Sequence, residues 1–107
     1  MITRNWKQVE PFHNVKGVEG RRIYDMPEGQ IIHMTIAPGC NVPSHITPVN
    51  VAIYVLEGEP LVEIGSERKV GTAGTMVESP KDIPHAIFNP SEEIVRLLVM
   101  KLPRPEK

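Results

Sequence analysis

The sequence is poor in cysteine and in aromatic residues. Cys40 is the one cysteine among 107 residues, so an internal disulfide is excluded, and no Cys-x-x-Cys pair suggests a zinc knuckle or a redox couple. Phe, Tyr and Trp make up only 5% of the chain, whereas apolar residues reach 40%. We therefore expect a reduced protein whose core is built from Val, Ile, Leu and Met rather than from aromatic rings.

Long apolar runs and clustered charges are also missing. No segment approaches the roughly 20 apolar residues that span a bilayer, and the first residues lack the apolar stretch of a signal peptide. The formal net charge is -1, and Lys and Arg are scattered rather than gathered into the basic stripe that a phosphate backbone requires. We expect a cytoplasmic protein that has neither a membrane nor a nucleic acid as its partner.

Proline and glycine, in contrast, are frequent. Eleven prolines and eight glycines divide the chain into pieces too short for regular helices, and these pieces are rich in β-branched residues. Short strands separated by turn signals about every 8 to 12 residues are typical of a sandwich or barrel. At this length we expect one all-β domain over residues 1–107.

The alternation of apolar residues and the positions of the turns predict a series of strands. The pair 61–64 and 67–70 flanks Gly65-Ser66, a two-residue connection typical of a tight hairpin. The last strand is predicted to be buried on both faces except at Arg96 and Lys101. Residues 1–16 could form an edge strand or a dimer arm. The predicted strands cover residues 18–25, 30–37, 50–57, 61–64, 67–70, 75–78, 85–88 and 93–102.

Two stretches, 38–47 and 80–89, each place one histidine beside glycine or proline at the edge of a strand pattern. These histidines are His45 and His85. Imidazole is a common ligand of divalent transition metals, so the two rings would form half of a metal site if the fold brought them together. Pro80 and Pro84 frame the loop before His85 and are expected to hold that histidine in place.

The two stretches resemble the paired motifs of the cupins, which are double-stranded β-helix barrels related to the jelly roll. The first cupin motif consists of a glycine, five residues, His-x-His, three or four residues, a glutamate, six residues and a glycine. The second runs from a glycine through Pro-x-Gly and a histidine to an asparagine, and here Asp82 replaces the middle glycine. The resemblance covers about half of the chain and implies a jelly-roll-like cupin barrel with its core over about residues 30–102. The matching positions are Gly39, His45, Thr47 and Gly58 in the first motif and Gly74, Pro80, Asp82, His85 and Asn89 in the second.

The resemblance also implies a metal site, from which this chain departs at two positions. Metal-binding cupins hold a divalent ion with two histidines and a glutamate of the first motif and one histidine of the second. Here Thr47 stands at the second histidine position and Val51 at the glutamate position. A neutral hydroxyl is a poor ligand for a transition ion, and valine offers none. We therefore expect either no ion or one weakly held at His45 and His85; zinc, iron, manganese and nickel are not distinguished.

Further residues could line a pocket or complete the ligand set. Besides Thr47, the candidates for an additional ligand are His33, Cys40 and Asn50, although a strand histidine, a packed cysteine and a turn asparagine also have ordinary structural roles. Glu78 could act as a general base if it lined a cavity, but a carboxylate on the solvent face is commoner. Tyr54 could present its hydroxyl to a pocket or pack at a subunit contact.

Three functions of different classes remain open from the sequence. The first is a small-molecule-binding cupin, with or without a weakly held metal on His45 and His85. The second, implied by the better-equipped cupins, is a metal-dependent enzyme of the oxygenase or isomerase type with a third ligand from outside the motifs. The third is a structural or regulatory dimer without a pocket function. A homodimer is expected in each case, because the apolar strand at 93–102 needs a cover on its outer side.

Overall fold

Strands dominate the computed structural model, which describes residues 1–106. The all-β class predicted from the sequence is confirmed. No helix among these residues has the length and apolar character that crossing a bilayer requires. The 3₁₀ turn spans Trp6–Gln8, and the strands are β1 (His13–Val15), β2 (Val18–Met26), β3 (Gly29–Ile36), β4 (Asn41–His45), β5 (Asn50–Glu57), β6 (Leu61–Ile64), β7 (Glu67–Val70), β8 (Met76–Ser79), β9 (His85–Phe88) and β10 (Val95–Leu102).

The strands form two antiparallel sheets with the topology of a jelly roll. The larger sheet has the order β1-β2-β3-β10-β5-β8, and the smaller one has the order β4-β9-β6-β7. Strands distant in sequence lie side by side: β10 pairs with both β3 and β5, and β9 pairs with both β4 and β6. This arrangement confirms the predicted barrel, in which the two sheets pack face to face.

Aliphatic side chains from both sheets fill the space between them. Because side chains alternate along a strand, every second residue of β3, β5 and β10 points inward. Ile36, Ile53 and Leu97 of the larger sheet are almost completely buried, and they belong to one cluster with Val62 and Ile87 of the smaller sheet. This cluster contains no aromatic ring among the described residues. The composition therefore indicated the nature of the core correctly.

The observed strands differ from the predicted ones mainly at the turns. β5, β6, β7 and β9 begin and end where the sequence places them, whereas β10 begins at Val95 rather than at residue 93. β8 is shifted by one residue and so includes Ser79. The sequence did not predict β4. Strand β1 lies at the edge of the larger sheet, and an edge strand is one of the two alternatives expected for residues 1–16. The prediction that β10 is buried on both faces is wrong for its outer face, where Leu98 and Met100 are only half-buried.

Four positions of the two motifs adopt a left-handed backbone. Their φ angles are +76° at Gly39, +86° at Gly58, +92° at Gly74 and +64° at Asp82. Glycine enters this region freely, and aspartate is among the few other residues that tolerate it, which explains how Asp82 replaces the family's glycine. Gly58 must also lack a side chain, because a Cβ there would lie 2.7 Å from the carbonyl oxygen of Ile94. These motif residues therefore shape turns and contribute no chemistry.

The N-terminal segment packs on the outer face of the larger sheet. The indole of Trp6 stacks on the ring of His33, with centroids 4.1 Å apart and planes 7° from parallel. The guanidinium of Arg21 donates to three backbone carbonyls of the 3₁₀ turn and its flank, which fixes the turn on the sheet. His33 is buried as a result. Burial, together with the charge of Arg96, lowers the pKa of His33.

The lowered pKa of His33 makes the folding free energy depend on pH. In the unfolded chain the ring takes up a proton as the pH falls below about 6.5, whereas in the folded protein it stays neutral to a lower pH. Among the charged groups around it, Arg96 and Arg21 strengthen this effect and Glu19 opposes it. Above about pH 6.5 the difference has no effect on stability, and below it the free energy of unfolding decreases as the pH falls.

We expect the substitution His33→Phe, which keeps a ring for Trp6 to stack on, to reduce the loss of unfolding free energy between about pH 7 and pH 5. Urea denaturation followed by Trp6 fluorescence at several pH values measures this loss. The control is Val15→Phe, at an exposed position of β1, which removes no titratable group and should keep the wild-type pH dependence. An unchanged pH dependence in His33→Phe would mean that His33 binds protons equally in the folded and unfolded states.

Candidate functional site

A bulge in β4 sets His45 directly opposite His85. The pairing of β4 with β9 is regular at the start of β4, and then the register shifts so that His45, and not Ser44, lies across from His85. Pro43 and Ser44 together oppose the single residue Ala86, which is the pattern of a β-bulge. A proline cannot donate to a sheet, but β4 is an edge strand, where proline is tolerated. The extra residue changes the alternation, so that the side chain of His45 lies on the same side as that of His85.

The two imidazole rings meet edge to face. Their Nε2 atoms are 3.0 Å apart, and the ring planes are inclined at 79° with centroids 4.3 Å apart. A hydrogen bond between two such nitrogens requires that one of them carries the hydrogen and the other does not. His85 is buried, whereas His45 is exposed to solvent. The pair therefore links the barrel interior to its surface.

The second nitrogen of each ring decides where the hydrogen lies. Nδ1 of His45 is 3.0 Å from the carbonyl oxygen of Pro43, which can only accept, so Nδ1 carries the hydrogen and Nε2 of the neutral ring is an acceptor. Nε2–H of His85 consequently donates to His45. Nδ1 of His85 then accepts from the Ser79 hydroxyl at 2.8 Å. Each ring nitrogen of the pair thus has a partner.

The buried ring of the pair stays uncharged at neutral pH. Burial, followed by the influence of His45 and of Lys101, lowers the pKa of His85 to about 4. Loss of hydration disfavours a charged imidazolium in the interior, and the positive charge of Lys101 disfavours it further. His85 is therefore available near pH 7 as a neutral hydrogen-bonding group or as a metal ligand.

Hydrogen bonds tie the loop that precedes His85 to the loop that follows His45. The backbone N–H of Lys81 donates to Oδ1 of Asn50 at 2.9 Å, and the N–H of Asp82 donates to the carbonyl oxygen of Thr47 at 3.1 Å. Thr47 is buried, and its Oγ1 lies 3.5 Å from Nε2 of His85. Thr47 thus borders the histidine pair, whereas the side-chain oxygen of Asn50 is engaged by the backbone of the neighbouring loop.

The histidine pair lines an apolar cavity between the two sheets. The cavity has a volume of about 190 Å³. Aliphatic side chains of both sheets form most of its wall, and Phe12 and His13 close one side of it. Its aliphatic residues include Val18, Ile32, Val42, Ile53, Ile87 and Val99.

Lys101 extends into the same cavity from β10. It shares the inward face of that strand with Val95, Leu97 and Val99, and it is half-buried. In the pairing of β10 with β5 it lies opposite Val51, the residue at the family's glutamate position. Burial and the nearby charge of Arg22 lower the pKa of Lys101. A lysine thus lies beside the place where metal-binding relatives have a carboxylate.

Lys101 also borders a second, larger depression at this end of the barrel. This groove has a volume of about 710 Å³ and is lined by Arg22, Arg104 and Lys101 together with Asp25, Gln30 and residues 105–106. Asp25 accepts from Arg104 at 3.2 Å and from Gln30 at 3.2 Å, so its carboxylate is already engaged. The cavity and the groove therefore share Lys101 as a common wall.

Two sequence candidates for a further metal ligand, His33 and Cys40, lie away from the histidine pair. His33 points to the outer face of β3, beneath Trp6. Cys40 immediately precedes β4 and so lies at the opposite end of that strand from His45, with its Sγ 3.7 Å from the carbonyl oxygen of Pro38. Neither residue contributes to the cavity.

Tyr54 and Glu78 lie on the outer face of the larger sheet. The buried neighbours of Tyr54 in β5, Ile53 and Val55, point inward, so Tyr54 points outward and is partly exposed. Glu78 is exposed on β8, whereas the next residue, Ser79, faces inward and contacts His85. The alternation along these strands therefore keeps both candidates out of the cavity.

The residues around the pair fit half of a metal site. Two nitrogens bound at about 2.1 Å and at a right angle to one ion would lie roughly 3 Å apart, which agrees with the 3.0 Å between the Nε2 atoms. Ser79 and Pro43 would support the second nitrogen of each ring, as partners of metal-bound histidines do. Within residues 1–106, however, no three His, Cys, Asp or Glu side chains are gathered so as to hold an ion. The Lys101 ammonium would also repel a cation.

Three residues that build the site, Pro43, Ser79 and Lys101, are missing from the functional candidates of the sequence. Lys101 has the same parity in β10 as the inward residues Val95 and Val99, so the alternation contained a signal for it. Ser79 becomes an inward residue once β8 is extended by one position. The bulge at Pro43 has no clear sequence signal, because a proline in a short polar segment is equally compatible with a loop.

A family comparison agrees with this fold and with the motif spacings. The family described as Cupin domain matches residues 32–101, which is more than half of the chain. The chain belongs to the cupin family. The resemblance that the two motifs indicate is thereby confirmed. No curated protein matches the chain significantly.

Solved structures with the same fold come from distant relatives. An RmlC-like cupin from Shewanella frigidimarina superposes with a TM-score of 0.87 at 22% identity, over 96% of this chain and 91% of that one. The protein TT1209 from Thermus thermophilus gives 0.84 at 24% identity over 98% and 100%. The polyketide cyclase RemF from Streptomyces resistomycificus gives 0.84 at 18% identity over 100% and 83%. At these identities the likeness shows the fold alone.

The hydrogen-bond chain through the pair predicts a definite tautomer for each ring of this cupin. Side-chain ¹⁵N NMR of the metal-free protein should find the hydrogen on Nε2 of His85 and on Nδ1 of His45. The substitution Ser79→Ala should lower the free energy of unfolding by about 1–3 kcal/mol, because it leaves a buried acceptor without a donor. Ser66→Ala in the exposed hairpin is the control and should be neutral. An Nδ1–H tautomer of His85 in the metal-free protein would contradict the assignment.

Proposed function

We propose that this cupin binds a small organic molecule in the cavity between its sheets, with the His45–His85 pair as a polar contact. The observation that carries the proposal is the combination of an aliphatic wall with convergent polar groups at one place, which is the usual composition of a ligand site. An interior meant only for stability would be filled by side chains to crystal-like density. The cavity therefore needs an explanation other than folding.

The volume of the cavity limits the ligand to a small apolar body. An engineered cavity of about 150 Å³ in another protein holds benzene, so about 190 Å³ has room for a ring of that size with a short substituent. Drug-sized ligands take up about 300 Å³ or more. Any larger part of the ligand would have to extend past Lys101 into the groove that shares this residue.

The histidine pair is suited to recognise a polar group of the ligand. The neutral ring of His85 lies against Thr47 and the cavity, and His45 is accessible from the surface. A ligand that approaches the pair can take over the hydrogen bond between the rings, either as donor or as acceptor, because the Ser79 hydroxyl can reverse its own role. The pair would thus adapt to the ligand without moving the backbone.

A divalent ion at the same pair is the weaker part of the proposal. Two imidazoles would leave most of the coordination sphere to water or ligand, and Lys101 adds an unfavourable charge. Binding of an ion would require Nε2 of His85 to lose its hydrogen to Nδ1. The same ¹⁵N signals would therefore report the ion as a change of tautomer.

A metal-dependent enzyme would need a third protein ligand for the ion, and none of the candidate residues is placed to provide it. His33 is buried on the other face of β3, Cys40 lies at the far end of β4, and Asn50 is engaged by the Lys81 backbone. RemF is described as a polyketide cyclase and shares this fold at 18% identity, which does not carry its activity to this chain. Ligand binding therefore accounts for more of the observed geometry than metal-dependent catalysis does.

Benzamide, a neutral compound with a single ring, is a suitable probe for the cavity. We expect the metal-free protein to bind it, and we expect Val42→Phe to weaken this binding at least about tenfold because the new ring takes up the same space. Met34→Phe, from the facing sheet, should have the same effect. Chemical-shift titration of the methyl groups in the cavity measures the affinity. Val70→Phe, on the exposed face of β7, is the matched control and should leave it unchanged.

Binding of benzamide that is equal in all four proteins would place the ligand outside the cavity. A wild-type protein that shows no methyl shifts at millimolar benzamide would contradict the proposal, since the cavity would then be closed or filled in solution.

We further infer that two copies associate through the outer face of the larger sheet. Ile31, Met100, Leu98, Tyr54 and Met76 form a contiguous apolar patch, because the register places each beside the next across β3, β10, β5 and β8. No element of the described chain covers this patch, in which Tyr54 is partly exposed and Met76 is about half exposed. Burying such a face against a second copy is a common solution for sheets of this kind.

Sedimentation velocity at micromolar concentration should show a dimer for the wild-type protein. The double substitution Tyr54→Glu and Met76→Glu should shift it to a monomer, since each copy would have to bury two charges in the interface. Val70→Glu, at a similarly exposed position of the smaller sheet, is the control and should remain dimeric. A wild-type monomer would contradict the inference.

A further inference from the structure

Among residues 1–106, Lys101 is the one ammonium group that borders the apolar cavity. Its strand parity directs it inward with the core residues Leu97 and Val99, and it contributes to the wall next to His45 and His85. A lysine at the end of a strand could easily have been placed outward, where its charge would be hydrated. Its inward position costs hydration free energy, which a binding role would explain.

The charge of Lys101 has no counterpart within the described residues. The ion pairs of residues 1–106 involve Arg21, Arg68, Arg96 and Arg104, and none involves Lys101. The neighbouring charge that acts on it is another cation, Arg22. In the adjoining groove Asp25 is engaged by Arg104 and Gln30, which leaves Glu106 as the remaining carboxylate there.

The other groups of the cavity do not supply the missing negative charge. Among the described residues no Asp or Glu lines the cavity, and Val51, which lies opposite Lys101, stands where the family has its glutamate. A half-buried cation without an anion is unfavourable, and a bound anion that reached it would be held by a charge-assisted hydrogen bond in a partly water-excluded place. The arrangement thus favours a negatively charged ligand.

We propose that the ligand of this cavity is a small monocarboxylate with an apolar body, whose carboxylate binds Lys101 and whose body fills the aliphatic space beside the histidine pair. The inference rests on the proposed function and specifies its ligand class. A carboxylate has the single charge that one ammonium balances, and its second oxygen can accept from Nε2–H of His85. Lys101 then takes the role of charge anchor that a metal ion fills in better-equipped sites.

Benzoate and benzamide test this proposal, since they have nearly the same shape and differ in charge. In metal-free protein at pH 7 and low salt, we expect benzoate to bind at least about tenfold more tightly than benzamide. A charge-assisted hydrogen bond from Lys101 would contribute enough binding free energy for such a difference. Lys101→Met, which keeps the length of the side chain, should abolish this preference while benzamide binding persists. Lys101→Gln serves as a second variant, and Lys101→Arg should retain the preference. Chemical-shift titration gives each affinity.

Lys69→Met, on the exposed strand β7, removes the same charge at a distance and is the matched control, so it should keep the preference. Equal affinities for the two compounds in the wild-type protein, or a preference that survives in both Lys101→Met and Lys101→Gln, would overturn the carboxylate while leaving small-molecule binding intact. If Lys69→Met also lost the preference for benzoate, the cause would be the net charge of the protein and not Lys101. This result would also overturn the proposal. Binding of neither compound would overturn both the carboxylate and the proposed function.

Discussion

The hydrogen bond between His45 and His85 is the contact on which the arrangement of the site depends. It joins residues 40 positions apart in the chain, at 3.0 Å between their Nε2 atoms. Two features of the backbone make it possible: the bulge at Pro43 and Ser44, which sets the parity of His45, and the bonds from the 80–84 loop to Thr47 and Asn50. The bulge determines the direction in which the His45 ring points. The hydrogen bonds of the 80–84 loop fix the position of His85.

Strand parity explains how one sheet serves several purposes. In β10 the inward residues end in Lys101, while the outward Leu98 and Met100 belong to the apolar patch. In β3 the outward His33 supports Trp6, whereas its neighbours face the core. Because the side-chain period is two, a shift of one residue in either strand would exchange the residues that line the apolar cavity with those of the outer surface. The long β3–β10–β5 ladders prevent such a shift.

The sequence was sufficient for the fold but not for the composition of the site. The spacing of glycine, proline and histidine resembles the paired cupin motifs, and this resemblance implied the barrel. Gly58 and Asp82 do occupy turns, as their motif positions suggest. Tyr54 and Glu78 were candidates because their side chains have suitable chemistry, yet orientation depends on the register of whole strands. The bulge at Pro43 could not be predicted from the sequence, because it arises from the pairing of β4 with β9, which is distant in the sequence. Ser79 was missed through a strand end displaced by one residue.

The loss of the family's glutamate and the presence of Lys101 are best considered as one change in local charge. A carboxylate at position 51 would favour a cation at the histidine pair, whereas valine there and an ammonium opposite favour an anion. Burial is the main cause of the low pKa of His85, about 4, and the charge of Lys101 adds to it. A divalent ion at the histidine pair would be repelled by the Lys101 ammonium, and only two imidazoles would bind it. A frame that holds a metal in other cupins would thereby suit, with two histidines retained, a negatively charged organic group bound directly.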